Sequence, residues 1–297
     1  MRIKKITFCI ILCCLSNNLF SQQEKLNANV SIKPEQINNT KKTTLGRDQD
    51  PKKINDLSKV TISFRKIKWK MLSLFGSRFV SNILYPKSTI SFIKTKSKVV
   101  AFTIDDGFCG LDNPDGCMVD QVRELFKKHQ SKATFFIAGS HCEHVSENEV
   151  ELLLKDGHEI ANHSMYDFPY NKYNSDDFES DFEKTNSILK NFIDETPLLY
   201  RSPFGRLSKK MNKIITQKGY KHIICDGFAN DTAIPDPKWI SKHILRTLKP
   251  GSIVLIHMPE VGVREWNYEA IKLTLEGLKR MNYNVVTVSE LLKYDNR

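Results

Sequence analysis

Between Lys98 and Ser289, seven short runs rich in β-branched and aromatic residues alternate with six longer stretches of helical periodicity. The strand candidates are KVVAFTI (98–104), KATFFIAG (132–139), HEIAN (158–162), PLLYR (197–201), KHIIC (221–225), SIVLIH (252–257) and NVVTVS (284–289). The helix candidates cover 118–130, 146–157, 175–193, 208–219, 237–251 and 266–282, several of them starting after Ser or Asp and stopping at Gly. Strictly alternating strands and helices imply a parallel sheet with right-handed crossovers. No glycine-rich phosphate loop follows any strand, so the expectation is an α/β fold of the distorted (β/α) barrel type, with about seven parallel strands, rather than an open doubly wound sheet.

The carboxyl ends of these strands share a chemistry. AFTI runs into Asp105, Asp106 and Gly107, EIAN into His163, LLY into Arg201, HIIC into Asp226, and IVLI into His257. Barrel enzymes carry their active sites on that rim, whereas chance would scatter ionisable residues over both ends and the helix surfaces.

Charge divides the chain in two. Its net charge of +11 suggests a polyanion partner until residues 1–98 (20 Lys+Arg, 5 Asp+Glu) are separated from the remaining 199 (25 and 29). The basic character belongs to an extension, and no nucleic-acid-binding module is visible. The sequence begins with MRIKK, an apolar core ITFCIILCCL and a polar stretch allowing cleavage after Ser21, the pattern of an export signal, with an uncleaved membrane anchor as the other reading. Residues 22–96 then form a basic extension, partly disordered by composition. Within it, 63–79 mixes bases with Trp69, Met71, Leu72, Leu74, Phe75 and Phe79, which suits either an amphipathic segment on an anionic membrane or polymer, or a helix packed on the main domain. The body of the protein is expected to occupy 97–297.

Taken singly, each rim motif has an ordinary reading. TIDDG can be a solvated turn, the His163 of HSMYD can hydrogen-bond backbone, Arg201 can form a structural salt bridge, and His257 can be a satisfied core histidine. The set is more informative. His163 and Asp167 can fall on one face of a turn with Asp106 as a third ligand, and three protein ligands with open positions describe a catalytic metal site rather than a structural one.

In order, TIDDG (103–107), HSMYD (163–167), RSPFG (201–205), Asp226 and LIH (255–257) resemble the motif series of the polysaccharide deacetylases, metal-dependent carbohydrate de-N-acetylases that share the nodulation-protein homology domain. The likeness spans roughly 97–293. It implies a divalent metal, zinc first with manganese or cobalt as alternatives, held by Asp106, His163 and Asp167. Asp105 would be the base that deprotonates a metal-bound water. Arg201 would keep that base ionised and in place, and His257, oriented by Asp226, would be the acid that protonates the leaving amine. Pro203, Phe204 and Gly205 would line the substrate site. The implied substrate is an N-acetylated glycan of the envelope or extracellular space, which places the protein in the periplasm, in the envelope or outside the cell.

Three departures from the family pattern matter. Asp167 stands where a second His is usual, which lowers the charge of the site and favours harder ions. The segment CDGFANDTA lacks the usual tryptophan and leaves Asp231 as a rival to Asp226. Cys109 and Cys117 sit in the first rim loop as candidates for a disulfide. The alternative to an enzyme is a catalytically silent glycan-binding domain of the same fold.

Overall fold

The computed structural model describes residues 58–296, apart from 74–75, 109, 111–112, 144 and 194–196. The export signal and residues 22–57 lie outside the described residues. Two helices come first, α1 (Lys59–Ser73) and α2 (Ser77–Leu84). The barrel body follows as β1 (Val99–Gly107), α3 (Val119–Lys128), β2 (Thr134–Ile137), α4 (Glu147–Lys155), β3 (Glu159–Asn162), α5 (Ser175–Leu189), β4 (Leu199–Tyr200), α6 (Lys209–Gln217), β5 (Lys221–His222), α7 (Pro237–Thr247), β6 (Ile253–His257), α8 (Trp266–Arg280), β7 (Asn284–Val286) and α9 (Val288–Leu292). All strand pairs are parallel, in the order β5-β4-β3-β2-β1-β6 with β7 on the start of β1.

This sheet curls. The stretch from 221 to 227 is bonded to both of its edges, since β5 pairs with β4 and Gly227 bridges to Val254 of β6. The fold is therefore a curled parallel (β/α) half-barrel.

Strand alternation sorts the two faces of the sheet. Val100, Phe102, Ile104, Phe135, Ile137, Ile160, Val254 and Ile256 face the helices and form the larger core. Val99, Ala101, Phe136, Ala161, Leu199, Ile223 and Ile253 face inward and form a second, smaller core. Continuing up β1 on this inner face from Val99 and Ala101 leads to Thr103 and then Asp105. The apolar bottom of the barrel thus gives way to polar groups at the rim by the two-residue period of the strand.

One predicted strand stops early. NVVTVS pairs only as far as Val286, because Thr287 caps α9: its Oγ1 accepts from Glu290 N at 3.2 Å, and Glu290 Oε2 accepts from Thr287 N at 3.2 Å. The capping box outweighs the β propensity of Thr287 and Val288.

Helices α1 and α2 lie in a run, residues 59 to 96, with nine Lys/Arg and no Asp/Glu. Part of α1 is docked on the barrel. Arg65 Nη1 donates to the Ala233 carbonyl at 2.7 Å, Lys66 Nζ meets Asp236 at 2.5 Å, and Trp69 Nε1 donates to the Phe228 carbonyl at 3.1 Å. From α2, Arg78 Nε pairs with Asp226 at 2.7 Å and its guanidinium lies over the Phe92 ring.

Candidate active site

Register places the first two groups. β1 and β6 pair with Asp105 opposite His257, so the two side chains leave the sheet at the same height. Successive residues of a regular strand point to opposite faces, and Asp106 should face the helices. It does not. The ladder shifts between Asp105 and Gly107, and Asp106 adopts φ 58°, a left-handed conformation that costs a non-glycine residue about 1–3 kcal/mol. Both carboxylates consequently lie beside one imidazole, Asp106 Oδ1 at 3.7 Å and Asp105 Oδ2 at 3.9 Å from His163 Nε2.

His163 is held for this contact. Its Nδ1 lies 2.8 Å from the Arg201 carbonyl, which can only accept, so Nδ1 carries a proton and Nε2 is the nitrogen turned to the two aspartates. The turn beneath it is fixed by Asn162, whose Oδ1 accepts from Ser164 N at 2.7 Å while its amide donates to Asn186 Oδ1 at 2.7 Å. Ligand atoms of Asp106, His163 and Asp167 all fall within 4.8 Å of one another. Asp106 Oδ1 is buried and has no hydrogen-bond partner, a costly state for a carboxylate oxygen unless a cation completes it. The Nε2 of a locked imidazole, an orphaned carboxylate oxygen and a second carboxylate together fit a divalent metal. The histidine's bond to a backbone carbonyl is the support that ligating imidazoles ordinarily have.

Asp105 has different company. Its Oδ1 accepts from Arg201 Nη1 at 2.5 Å, and the same nitrogen donates to Thr103 Oγ1 at 2.8 Å. The guanidinium is stacked 4.1 Å over the Phe136 ring and donates to the carbonyls of Ile223 and Ile224. Arg201 is 2% exposed, so this ion pair is shielded from solvent and fixed in direction. Beyond it, Pro203, Phe204 and Gly205 make a tight turn with positive φ at Phe204 and Gly205. Tyr85 packs on that turn, its hydroxyl donating to the Gly205 carbonyl at 2.9 Å. A Cβ at Gly205 would meet the same hydroxyl at 2.8 Å.

The carboxylate on His257 is Asp231, which corrects the expectation of Asp226. His257 Nδ1 lies 3.0 Å from Asp231 Oδ1, and the His257 backbone N–H donates to Asp231 Oδ2 at 2.8 Å. Asp226 sits lower. Its Oδ1 accepts from Ile253 N, four residues before His257 on β6 and so about 13 Å away along the strand, and its Oδ2 takes Arg78 and Ser252. The cause is the closure of the sheet, which draws 226–227 against Ile253 and lets the following loop carry Asp231 up to the rim. Burial alone would lower the His257 pKa, but the buried Asp231 carboxylate outweighs it and raises it to about 9. Burial would likewise raise Asp231, and its contacts with His257 hold it below the usual carboxylate range instead.

Several residues that motif reading did not single out complete the site. Asn267 Nδ2 donates to Asp231 Oδ2 at 2.7 Å and to the His257 carbonyl at 3.0 Å, and Trp266 Nε1 donates to the Asp231 carbonyl. Arg264, with φ 55°, donates from Nη1 to Asp106 Oδ2 at 2.8 Å, which leaves Oδ1 as the oxygen turned to His163. Burial would raise the pKa of Asp106, but Arg264 foremost and the histidines 257, 163 and 141 hold it far below the usual value. The first turn of α8 gives no motif signal for these roles. Trp69 is part of the rim as well, edge-on to Phe228 at 5.3 Å, whose own ring centre lies 6.1 Å from that of His257. In the first rim loop Cys117 is disulfide-bonded, while Cys109 lies outside the described residues; Cys142 and Cys225 are free.

A curled parallel half-barrel with a buried acidic and histidine cluster on its carboxyl-end rim is the arrangement of the (β/α) barrel proteins that carry their sites on that rim. Comparison with known proteins narrows it. The family model described as polysaccharide deacetylase matches residues 93–223. A peptidoglycan-N-acetylglucosamine deacetylase of Bacillus cereus is 31% identical over 204 residues, covering 68% of this chain and 92% of that protein. The peptidoglycan-N-acetylglucosamine deacetylase PgdA of Listeria monocytogenes is 27% identical over 233 residues, covering 76% of this chain and 46% of its own. Among solved structures, a CE4 family pseudoenzyme from Bacillus anthracis aligns over 72% of each chain with a TM-score of 0.61 at 22% identity. A peptidoglycan N-acetylglucosamine deacetylase bound to a hydroxamate-type benzamide aligns over 71% of this chain and 95% of its own, with a TM-score of 0.61 at 23% identity. The chain belongs to the polysaccharide deacetylase family.

Proposed function

We propose that this protein is an exported, metal-dependent carbohydrate de-N-acetylase that removes acetyl groups from N-acetylated amino sugars of an envelope glycan, with peptidoglycan as the first substrate to test. The observation that carries the reading is the position of the Asp106, His163 and Asp167 cluster, with its orphaned Asp106 Oδ1, between a buried arginine–aspartate pair and a histidine–aspartate pair. Those three residues would hold the metal, zinc first and manganese or cobalt otherwise. When bound, the metal supplies Lewis-acid polarisation of the acetamide carbonyl and makes water a competent nucleophile near neutral pH.

The protein's own groups do the rest. Asp105, fixed by Arg201, accepts the proton of the attacking water. His257, with Nδ1 committed to Asp231, carries a proton on Nε2 to the departing nitrogen, because an amide anion does not leave unaided. The C–N bond breaks as a C–O bond forms, and the products are acetate and a free amino sugar. The turn at Pro203, Phe204 and Gly205 forms one wall for the sugar, and Trp69 with Phe228 forms another beside His257. The signal at residues 1–21 would export the chain to the envelope or beyond. Among the described residues no helix is long and apolar enough to cross a membrane.

The second reading, a glycan-binding domain without turnover, draws on Arg264, whose bond to Asp106 places a fixed cation against a metal ligand. A structural relative is itself described as a pseudoenzyme. Acetate release from acetylated chito-oligosaccharides and from peptidoglycan, with the metal content of the same preparation, separates the two. Turnover that is lost on chelation and restored by zinc or manganese supports the enzyme. Glycan binding without acetate release at any metal loading overturns it. Asp105→Asn should abolish release and retain metal; unaltered release would remove Asp105 from the mechanism.

A further inference from the structure

The outer face of α1 is unlike the rest of the surface. Val60, Phe64, Ile67 and Met71 recur at spacings of four, three and four, which sets them along one side of a helix, and each is between 57% and 69% exposed. On α2, Phe79 and Ile83 repeat the pattern one turn apart at 56% and 58% exposure. Elsewhere among the described residues the exposed large apolar side chains are scattered singly along the chain. At about 100° per residue, Arg65, Lys66 and Trp69 lie on the opposite side of α1, where they are bonded to the barrel. The docked face and the apolar face are therefore different faces of one helix, and docking does not use the stripe.

Charge identifies the occupant. Lys59 and Lys70 border the stripe on one flank and Lys68 on the other, all exposed, and no carboxylate occurs anywhere from 58 to 96. A second copy of this chain would bring lysines against lysines in a two-fold contact. A lipid surface with anionic headgroups accepts the apolar side chains into its acyl boundary while the lysines extend to the phosphates. We propose that the Val60, Phe64, Ile67 and Met71 face of α1 rests on an anionic lipid surface, holding the barrel rim close to the membrane through the contacts of Arg65, Lys66 and Trp69. This docking is independent of the reaction assigned to the rim.

Fluorescence of the full chain carrying Ile67→Trp, compared with the parent, tests the contact. On vesicles containing about 30% phosphatidylglycerol, the added indole should shift to the blue and be quenched by lipids brominated on the acyl chain. Phe64→Ser combined with Ile67→Ser should weaken vesicle binding at least tenfold or so, since two large side chains no longer leave water, and about 0.5 M salt should weaken the parent. The double variant changes only exposed positions, so its melting temperature and its deacetylation of soluble chito-oligosaccharides should match the parent. An unquenched indole, or a double variant that binds as well as the parent, overturns the proposal; binding through the apolar run at residues 6–15 alone gives that result. A dimer that forms without lipid and is lost in the double variant assigns the face to a second copy and overturns it too.

Discussion

His257 Nδ1 lies 3.0 Å from Oδ1 of Asp231, a side chain with no exposed surface. The same carboxylate accepts the His257 backbone N–H and the amide of Asn267, so its position is set by three donors. It raises the imidazole to about 9 against the lowering effect of burial. In its proposed role as proton donor His257 acts in its protonated form, so activity should fall as pH rises through that pKa. Asp231→Asn should lower kcat by about 10²–10⁴ and move the alkaline limb of the kcat profile to lower pH. Rate profiles of wild type and variant between pH 5 and 10 measure the displacement; a limb that stays in place would remove Asp231 from this role.

Asp226 gives the contrast. It is buried against Arg78, Ser252 and Ile253, so Asp226→Asn should cost about 1–3 kcal/mol of stability through a weakened ion pair. The alkaline limb should not move. Urea unfolding, run beside the rate profile, distinguishes the two aspartates.

In the proposed metal site Asp167 would set the choice of metal. Two carboxylates and one imidazole form a harder ligand set than one carboxylate and two imidazoles. Asp167→His should raise the affinity for zinc relative to manganese by about tenfold, read by competition against a chelator. Asp106→Asn should cost more affinity for either ion than any change at Asp167, because its Oδ1 has no other partner to release.

Helix α1 holds the loop that carries Asp231, through Arg65 on Ala233, Lys66 on Asp236 and Trp69 on Phe228. Trp69→Ala should lower stability by about 1–3 kcal/mol through the lost aromatic edge contact and hydrogen bond. It should also lower kcat, raise KM through the lost wall of the sugar site, and move the alkaline limb, because the Phe228 ring lies tilted against that of His257. If stability drops while kcat at a permissive temperature is unchanged, the role of α1 is structural alone.

Asp105, His163, Arg201 and His257 reach the rim as their places at the carboxyl ends of apolar runs imply, whereas Asp226, placed alike after HIIC, is drawn down against Ile253 by the closing of the sheet. Asp167 was readable because it is four residues from His163, within one turn. Asp231, Arg264 and Asn267 were not, since a loop and the start of a helix carry no periodicity from which to infer where a side chain will meet the rim. Trp69 stood out only as part of a basic, aromatic segment with two open readings.

The sequence by itself determined the alternation of strands and helices, the inner and outer faces of each strand, and the order in which acid, histidine and arginine reach the rim, because these depend on local period and chain order. The tertiary structure decided which aspartate orients His257, that both Asp105 and Asp106 face one imidazole, and that α1 joins the rim. Those outcomes depend on how the sheet closes and where the β1 ladder shifts. Closure and register are set by packing among distant segments, which no single stretch of chain encodes.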